Sequence, residues 1–287
     1  MSNLSNFAEN KLADMVRGQA WSLPGSLYVG LASAADDSTI TELSGAGYAR
    51  IAAPRALATW AGTQGPATTL ASTGTSHATS NNVAFDFGAA GSAWGTAAYA
   101  TLSDALSAGN VIACIPLPSA LVINNGDPVS IAIGALSMTL GLAGGCTDYL
   151  ANKLIDFIFR GQAYTFPATM YAALFTAAPS NAGGGMEVAG GGYARVGIAG
   201  SLATWSGTQG AGTTAASTGA SGRISNNEPI AFPAPTADWG TATHDGLFDA
   251  ATVGHLLFWV ALASPKAISA GGVAPTYDAD ARGISFA

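Results

Sequence analysis

The chain has 287 residues, of which only 9% are charged, and its 10 Lys and Arg against 17 Asp and Glu give a formal net charge of −7. So few basic groups exclude a footprint on a phosphate backbone, and no direct nucleic-acid partner is expected. With a charged fraction far below the roughly 25% of ordinary soluble domains, the exterior must be a neutral Gly/Ala/Ser/Thr surface, which suits a protein covered by neighbours in an assembly.

The pattern opens on a helix. Asn6 and Glu9 have capping-box spacing, and Phe7, Lys11, Leu12, Met15 and Val16 follow a helical period up to Arg17 and Gly18. Short β-type runs separated by Gly, Pro, Asn and Asp follow, with strands expected near Ser26 to Ala32, Gly47 to Ala53, Val83 to Phe87, Trp94 to Leu102, Val111 to Leu117 and Val129 to Leu140. The uncharged stretch from Pro128 to Thr147 is long enough to span a bilayer. Its four glycines and partial alternation read instead as a strand and a linker, so no membrane partner is expected.

A second helix, with Asp148 as its expected cap, runs through Leu150, Leu154, Ile155, Phe157 and Ile158 to Arg160 and Gly161. Strands are then expected near Thr169 to Thr176, Tyr193 to Ala199, Ile230 to Phe232, Trp239 to Phe248, His255 to Leu262 and Ala281 to Phe286. The repetition of this order reflects a duplication. Gly45 to Asn82 recurs nearly verbatim at Gly190 to Asn227, at a constant offset of 145. NKL at Asn10 recurs at Asn152, RGQA at Arg17 recurs at Arg160, and WGTA at Trp94 recurs at Trp239. The expected architecture is mainly β: two tandem antiparallel β-sandwich, jelly-roll-like modules, each with a short N-terminal α-helix. Their boundaries are 1–140 and 148–287, with a Gly-rich linker at 141–147.

Each module holds a nearly charge-free Ser/Thr/Gly segment, Thr59 to Asn82 and Thr204 to Asn227. Fixing some 20 such residues costs on the order of 20 to 40 kcal/mol of backbone entropy, with few large apolar side chains to offset it. Neighbouring chains or the other module are therefore expected to hold these segments, which are otherwise expected to be mobile. Trp60, Gln64, Trp205 and Gln209 are the candidate inter-subunit contacts.

No G-x-S-x-G elbow, GxxxxGK[ST], HExxH or strand-linked GxGxxG occurs in the sequence. Asp278, Asp280 and Gly283 mimic the start of a calcium loop, but Arg282 stands at a ligand position. His77, His244 and His255 are not at ligand spacing. His244 with Asp245 and Asp249 forms the one polar cluster that invites a mechanism, and it reads as a strand ending in a turn, with Asp104 and Asp249 bonding backbone amides. Arg50 and Arg195 read as strand arginines paired with carboxylates. No catalytic, cofactor-binding or metal-ligating residue is assigned and no cofactor is expected. Cys114 and Cys146 have no ligand spacing and read as free thiols of a protein made in a reducing cytoplasm. The charged N-terminal stretch does not read as a signal peptide.

The runs MYAALFTAAPS at Met170, GGGYARV at Gly190, ADWGTATHDGLFDA at Ala237 and LLFWVALASPKAISAGG at Leu256 resemble a family of small tailed-phage structural proteins. The first module resembles it more loosely. The resemblance implies a virion component, carried under labels that range from tail fibre to capsid decoration. This chain departs from it in the duplication and in a more polar last segment, Pro275 to Gly283. Together with the low charge, this leads to the expectation of a non-enzymatic capsid decoration, or cement, protein on the capsid surface, bound over subunit seams. Its expected partners are the major capsid protein or copies of itself. The alternative is a tail-fibre or tail-associated host-binding protein.

Overall fold

The computed structural model describes residues 3–140 and 145–286, so positions 141–144 of the expected linker lie outside the described residues. The chain is mainly β, 40% strand and 9% helix, in two similar β-sheet modules that each follow a short helix. In the first repeat these are α1 (Asn6–Val16), β1 (Ser26–Ala35), β2 (Ile40–Glu42), β3 (Ile51–Pro54), β4 (Ala78–Ser80), β5 (Phe85–Ala89), β6 (Gly95–Ser103), β7 (Val111–Ile123), β8 (Pro128–Ile131) and β9 (Ser137–Thr139). The second repeat gives α2 (Asp148–Arg160), β10 (Thr169–Ala177), β11 (Met186–Glu187), β12 (Val196–Ala199), β13 (Arg223–Ser225), β14 (Ile230–Ala231), β15 (Gly240–Phe248), β16 (Leu256–Ile268), β17 (Thr276–Tyr277) and β18 (Gly283–Ser285).

Each repeat forms a five-stranded antiparallel sheet, ordered β2-β1-β6-β7 with β3 also on β1, and β11-β10-β15-β16 with β12 also on β10. Two short ribbons accompany each sheet: β4–β9 and β5–β8 in one, β13–β18 and β14–β17 in the other. The register shifts at matched places, between Ala97 and Tyr99 and between Ala242 and His244. Alternation sets the inner faces, with Leu27, Val29 and Leu31 of β1 buried. In the second repeat Phe175 and Phe248 stack with centroids 6.1 Å apart, and Phe286 meets Phe258 edge-on at 6.1 Å, which brings the end of the β18 ribbon onto the sheet.

The outer strands are partly capped by the chain before each helix. Ser5 N donates to Ile112 O and Cys114 N to Asn3 O along β7, and Thr147 N donates to Leu257 O and Trp259 N to Gly145 O along β16. Pairing an edge in this way removes open backbone groups that invite aggregation. The same segments set the helix starts. Ser5 Oγ accepts from Ala8 N at 3.3 Å and Thr147 Oγ1 from Leu150 N at 3.4 Å. The caps are thus one residue earlier than Asn6 and Asp148, because a hydroxyl already held against the outer strand reaches the first free amides.

Two further differences from the sequence expectations concern strands. The expected strand from Val129 to Leu140 is two, β8 and β9, separated by a turn through Gly134 at φ +76°. The long Ser/Thr/Gly segments also contain strand, since β4 and β13 run into the Ser of each SNN.

The compact units do not follow the repeat boundaries. Among the described residues, one unit comprises 3–9, 22–140 and 152–164, and the other comprises 10–21, 145–151 and 165–286. Most of α2 therefore packs in the unit built on the first repeat's sheet, and most of α1 in the unit built on the second's.

Candidate interaction site: the helix–loop clamp

In the first unit the Thr59 to Asn82 segment closes around the C-terminal end of α2. Arg160 and Trp60 are both fully buried. Arg160 Nε donates to Trp60 O at 2.9 Å, Nη1 to Asp156 Oδ1 at 2.6 Å and to Ser72 Oγ at 3.0 Å, and Nη2 to Leu70 O at 2.5 Å and Thr68 O at 3.4 Å. Asp156 completes the clasp by accepting from Ser72 N at 2.9 Å and Ser72 Oγ at 2.6 Å. One helical turn earlier, Asn152 Nδ2 donates to Gly74 O at 3.1 Å and its Oδ1 accepts from the Thr63 hydroxyl. The Trp60 ring lies between Phe85, at 5.9 Å, and Phe159 of α2, at 5.8 Å.

The second unit repeats this arrangement around the end of α1. Arg17 Nε donates to Trp205 O at 3.0 Å, Nη1 to Asp14 Oδ1 at 2.8 Å and Ser217 Oγ at 3.2 Å, and Nη2 to Thr213 O at 3.4 Å. Asp14 accepts from Ser217 N at 3.0 and 3.1 Å, and Asn10 Oδ1 accepts from the Thr208 hydroxyl. A guanidinium fork supplies five donors in a fixed plane, so one Arg can gather several carbonyls of a loop that turns them inward. That supplies the ordering enthalpy that the loop's small side chains lack. The tightness of the loop requires glycine at Gly74 and Gly219, where a Cβ would stand 2.1 Å from Thr63 O and 2.2 Å from Thr208 O.

The SNN sequence ends each segment with a bond set of its own. Asn81 Nδ2 donates to Val83 O and Ala132 O, and its Oδ1 accepts from Leu136 N. Asn226 does the same with Glu228 O, Asp278 O and Arg282 N.

Trp60 and Trp205 thus require a correction. Both are fully buried, and their indole Nε1 atoms are buried without a hydrogen-bond partner, so neither ring is offered to a neighbouring subunit. Phe159 of α2 packs on the Trp60 ring, and Arg17 beside α1 binds the Trp205 carbonyl, so a helix from the other repeat supports each loop. Gln64 and Gln209 are exposed and fold back on their own loops, donating to Ala71 O and Ala216 O. Part of the sequence signal for the clamp is present in NKL and RGQA, which supply its Asn and Arg, while Asp14 and Asp156 lie between the two motifs.

The remaining candidates form no convergent site. Arg50 pairs with Glu42 at 2.7 Å and Arg195 with Glu187 at 2.7 Å, each also donating to two loop carbonyls, as expected of structural arginines. Burial raises the Tyr48 and Tyr193 phenols well above their usual range, and each donates to the same Glu as the Arg. His244 Nδ1 lies 2.9 Å from the Thr243 hydroxyl, Asp249 accepts from His255 N at 2.6 Å, and Asp245 lies 2.7 Å from Arg282 Nε. Those three side chains face three different partners. Asp104 binds Asn110 N in the turn matching that of Asp249. Among the described residues no helix is long and apolar enough to cross a membrane.

A family model described as Podophage GP4 fiber I protein gp80 matches residues 3–139 and again 145–283. The chain belongs to that family. It is a bacteriophage virion structural protein made of two tandem copies of the gp80-type repeat. No curated protein matches the chain. The two gp80 matches coincide with the sequence repeats rather than with the compact units, so in this chain each family segment is completed by a helix from the other.

Proposed function

We propose that this chain is a fibre protein of a tailed-phage virion, tail-associated and host-facing, which works by binding rather than by catalysis. The observation that carries this reading is the fibre-family match over both repeats. The capsid-decoration role expected from the sequence draws no specific support from it. The clamp also favours the fibre reading: the Ser/Thr/Gly segments are secured from within, so they do not need a capsid seam to order them. Their outer sides then remain free for contact. Gln64 and Gln209 sit there, and Leu70 is 75% exposed while its carbonyl is held by Arg160. Small polar loops around an exposed apolar residue suit recognition of a host surface, and two similar loops in one chain add avidity. Copies of this chain are the proposed partners within the fibre.

Gold-labelled antibody against this chain, applied to virions, tests the placement. Label is expected on the tail-associated fibres, and label spread over the head would return the capsid reading. Purified chain is expected to compete with phage adsorption to host cells, with Gln64→Ala plus Leu70→Ala competing about tenfold less well at unchanged stability. Equal competition by that variant would remove these loops from the contact.

A further inference from the structure

The clamp joins a loop of one repeat to a helix of the other, twice and reciprocally. Both receptors present the same groups: a Trp carbonyl, a Ser that binds the helix Asp, and a Thr hydroxyl that binds the helix Asn. Both helices present the same three side chains, with one difference. Asp14 and Arg17 are three residues apart, whereas Asp156 and Arg160 are four apart, yet each Arg reaches its Trp carbonyl with almost equal length. The receptor therefore tolerates both versions of the helix end. Nothing in either loop distinguishes a helix of the same chain from the same helix of another copy.

We propose that each long loop is an exchangeable docking site whose occupant is the Asn/Asp/Arg helix of another copy of this repeat. In the single chain the exchange is satisfied internally, and it holds the two repeats together without their covalent link. The same chemistry lets two chains pair by trading helices, so the partner that this interface fits is a second copy of the chain. The fully buried fork carries the specificity: a helix without the Asp and Arg leaves the inward loop carbonyls unpaired, which is costly in a desolvated site. This inference rests on the contacts alone and is independent of the fibre assignment.

The test uses the full chain with a protease site inserted within residues 141–144. After cutting, native mass spectrometry is expected to show the two halves together near the 28.4 kDa of the intact chain, and uncut chain refolded at high concentration is expected to add a pair at about twice that mass, whose absence would overturn the pairing of two chains. Heavy-isotope and unlabelled samples, both cut, are then mixed, unfolded and refolded together. Assemblies with one heavy and one light half are expected. Halves that separate or precipitate on cutting, or isotopic species that stay unmixed after refolding, would overturn the proposal. Arg17→Lys with Arg160→Lys keeps the charge but loses the fork, and is expected to speed dissociation of the cut halves by about tenfold or more. An unchanged rate would show that the clamp is not what holds them.

Discussion

Each of the two units holds a clamp of the same design, and they differ in their interiors. In the first, Ala100 on β6, Ile131 on β8 and Leu136 before β9 are buried and apolar. Their counterparts are Asp245, Tyr277 and Arg282. Leu31 pairs with Ala100 as Leu174 does with Asp245, Phe85 with Ile131 as Ile230 with Tyr277, and Asn81 accepts from Leu136 N as Asn226 does from Arg282 N. The apolar trio of the first unit corresponds to a buried acid, a half-buried phenol and a buried guanidinium in the second. Such a set is close to neutral against apolar groups of similar size when all members change together, and costly when one changes alone. All three positions lie in the second repeat and in one unit, so the two interiors can differ without affecting each other. The clamp has no such freedom, because each half of it sits in a different repeat. Its loops and helix ends are nearly the same in the two repeats.

The clamp offers the largest break in this comparison. Arg160→Ala strands Asp156, the Trp60 carbonyl and the Leu70 carbonyl in a buried site, and Arg17→Ala does the same to Asp14 and the Trp205 carbonyl. Each is expected to cost about 4 to 5 kcal/mol, measured by urea unfolding. The two losses should agree closely, since the partners match. A loss below about 1 kcal/mol for either would mean that its loop is held by something other than the fork.

The sheet interior should respond in the opposite manner. Arg282→Leu alone leaves Asp245 buried, where desolvation already raises its pKa and Arg282 is the main opposing influence. A cost of about 3 kcal/mol at neutral pH is expected. It should shrink as the pH falls, because a carboxyl whose folded pKa is raised is favoured when protonated. The triple change Asp245→Ala, Tyr277→Ile and Arg282→Leu copies the first unit and is expected to restore stability to within about 1 kcal/mol or to exceed it. A triple variant as unstable as Arg282→Leu would mean that the two interiors are not interchangeable.

How much of this the sequence displays depends on how far apart the cooperating residues lie. The helices, most of the strands and the duplication are visible in periodicity and in verbatim repeats. The GYAR arginines are legible as carboxylate partners, although β2 and β11, which supply Glu42 and Glu187, are too short to register as patterns. The long segments are recognisable as needing outside support. The source of that support is not, because Asp14 with Arg17 and Asp156 with Arg160 read locally as ordinary helix ion pairs, and their loop partners lie roughly 90 to 200 residues away. The repeated Trp residues suggest anchors for a neighbour, but a large ring in a polar loop signals burial without saying what covers it. Arg282 is hidden for a related reason. It stands in an acidic stretch that mimics a calcium loop, while its partner Asp245 belongs to another strand.

The smallest expected effect separates the units by pH. Glu9 is buried on α1 in the first unit, and burial together with the nearby Asp37 charge raises its pKa to about 7. The matching position on α2, one residue before Asn152, is Ala151. Since the folded pKa lies above the usual 4.5, protonated Glu9 favours the folded chain. Its contribution is complete below about pH 4.5 and is lost as the pH rises through 7. Glu9→Gln keeps the shape and removes the charge. The variant should therefore match the parent at pH 4 and exceed it at pH 8, by on the order of 1 kcal/mol because solvent screens part of the charge. Urea midpoints across that range would measure it, with the gap opening between pH 6 and 8. A gap that is the same at pH 4 and pH 8 would show that the carboxylate is not destabilising the first unit, and that the pH response of the chain arises elsewhere.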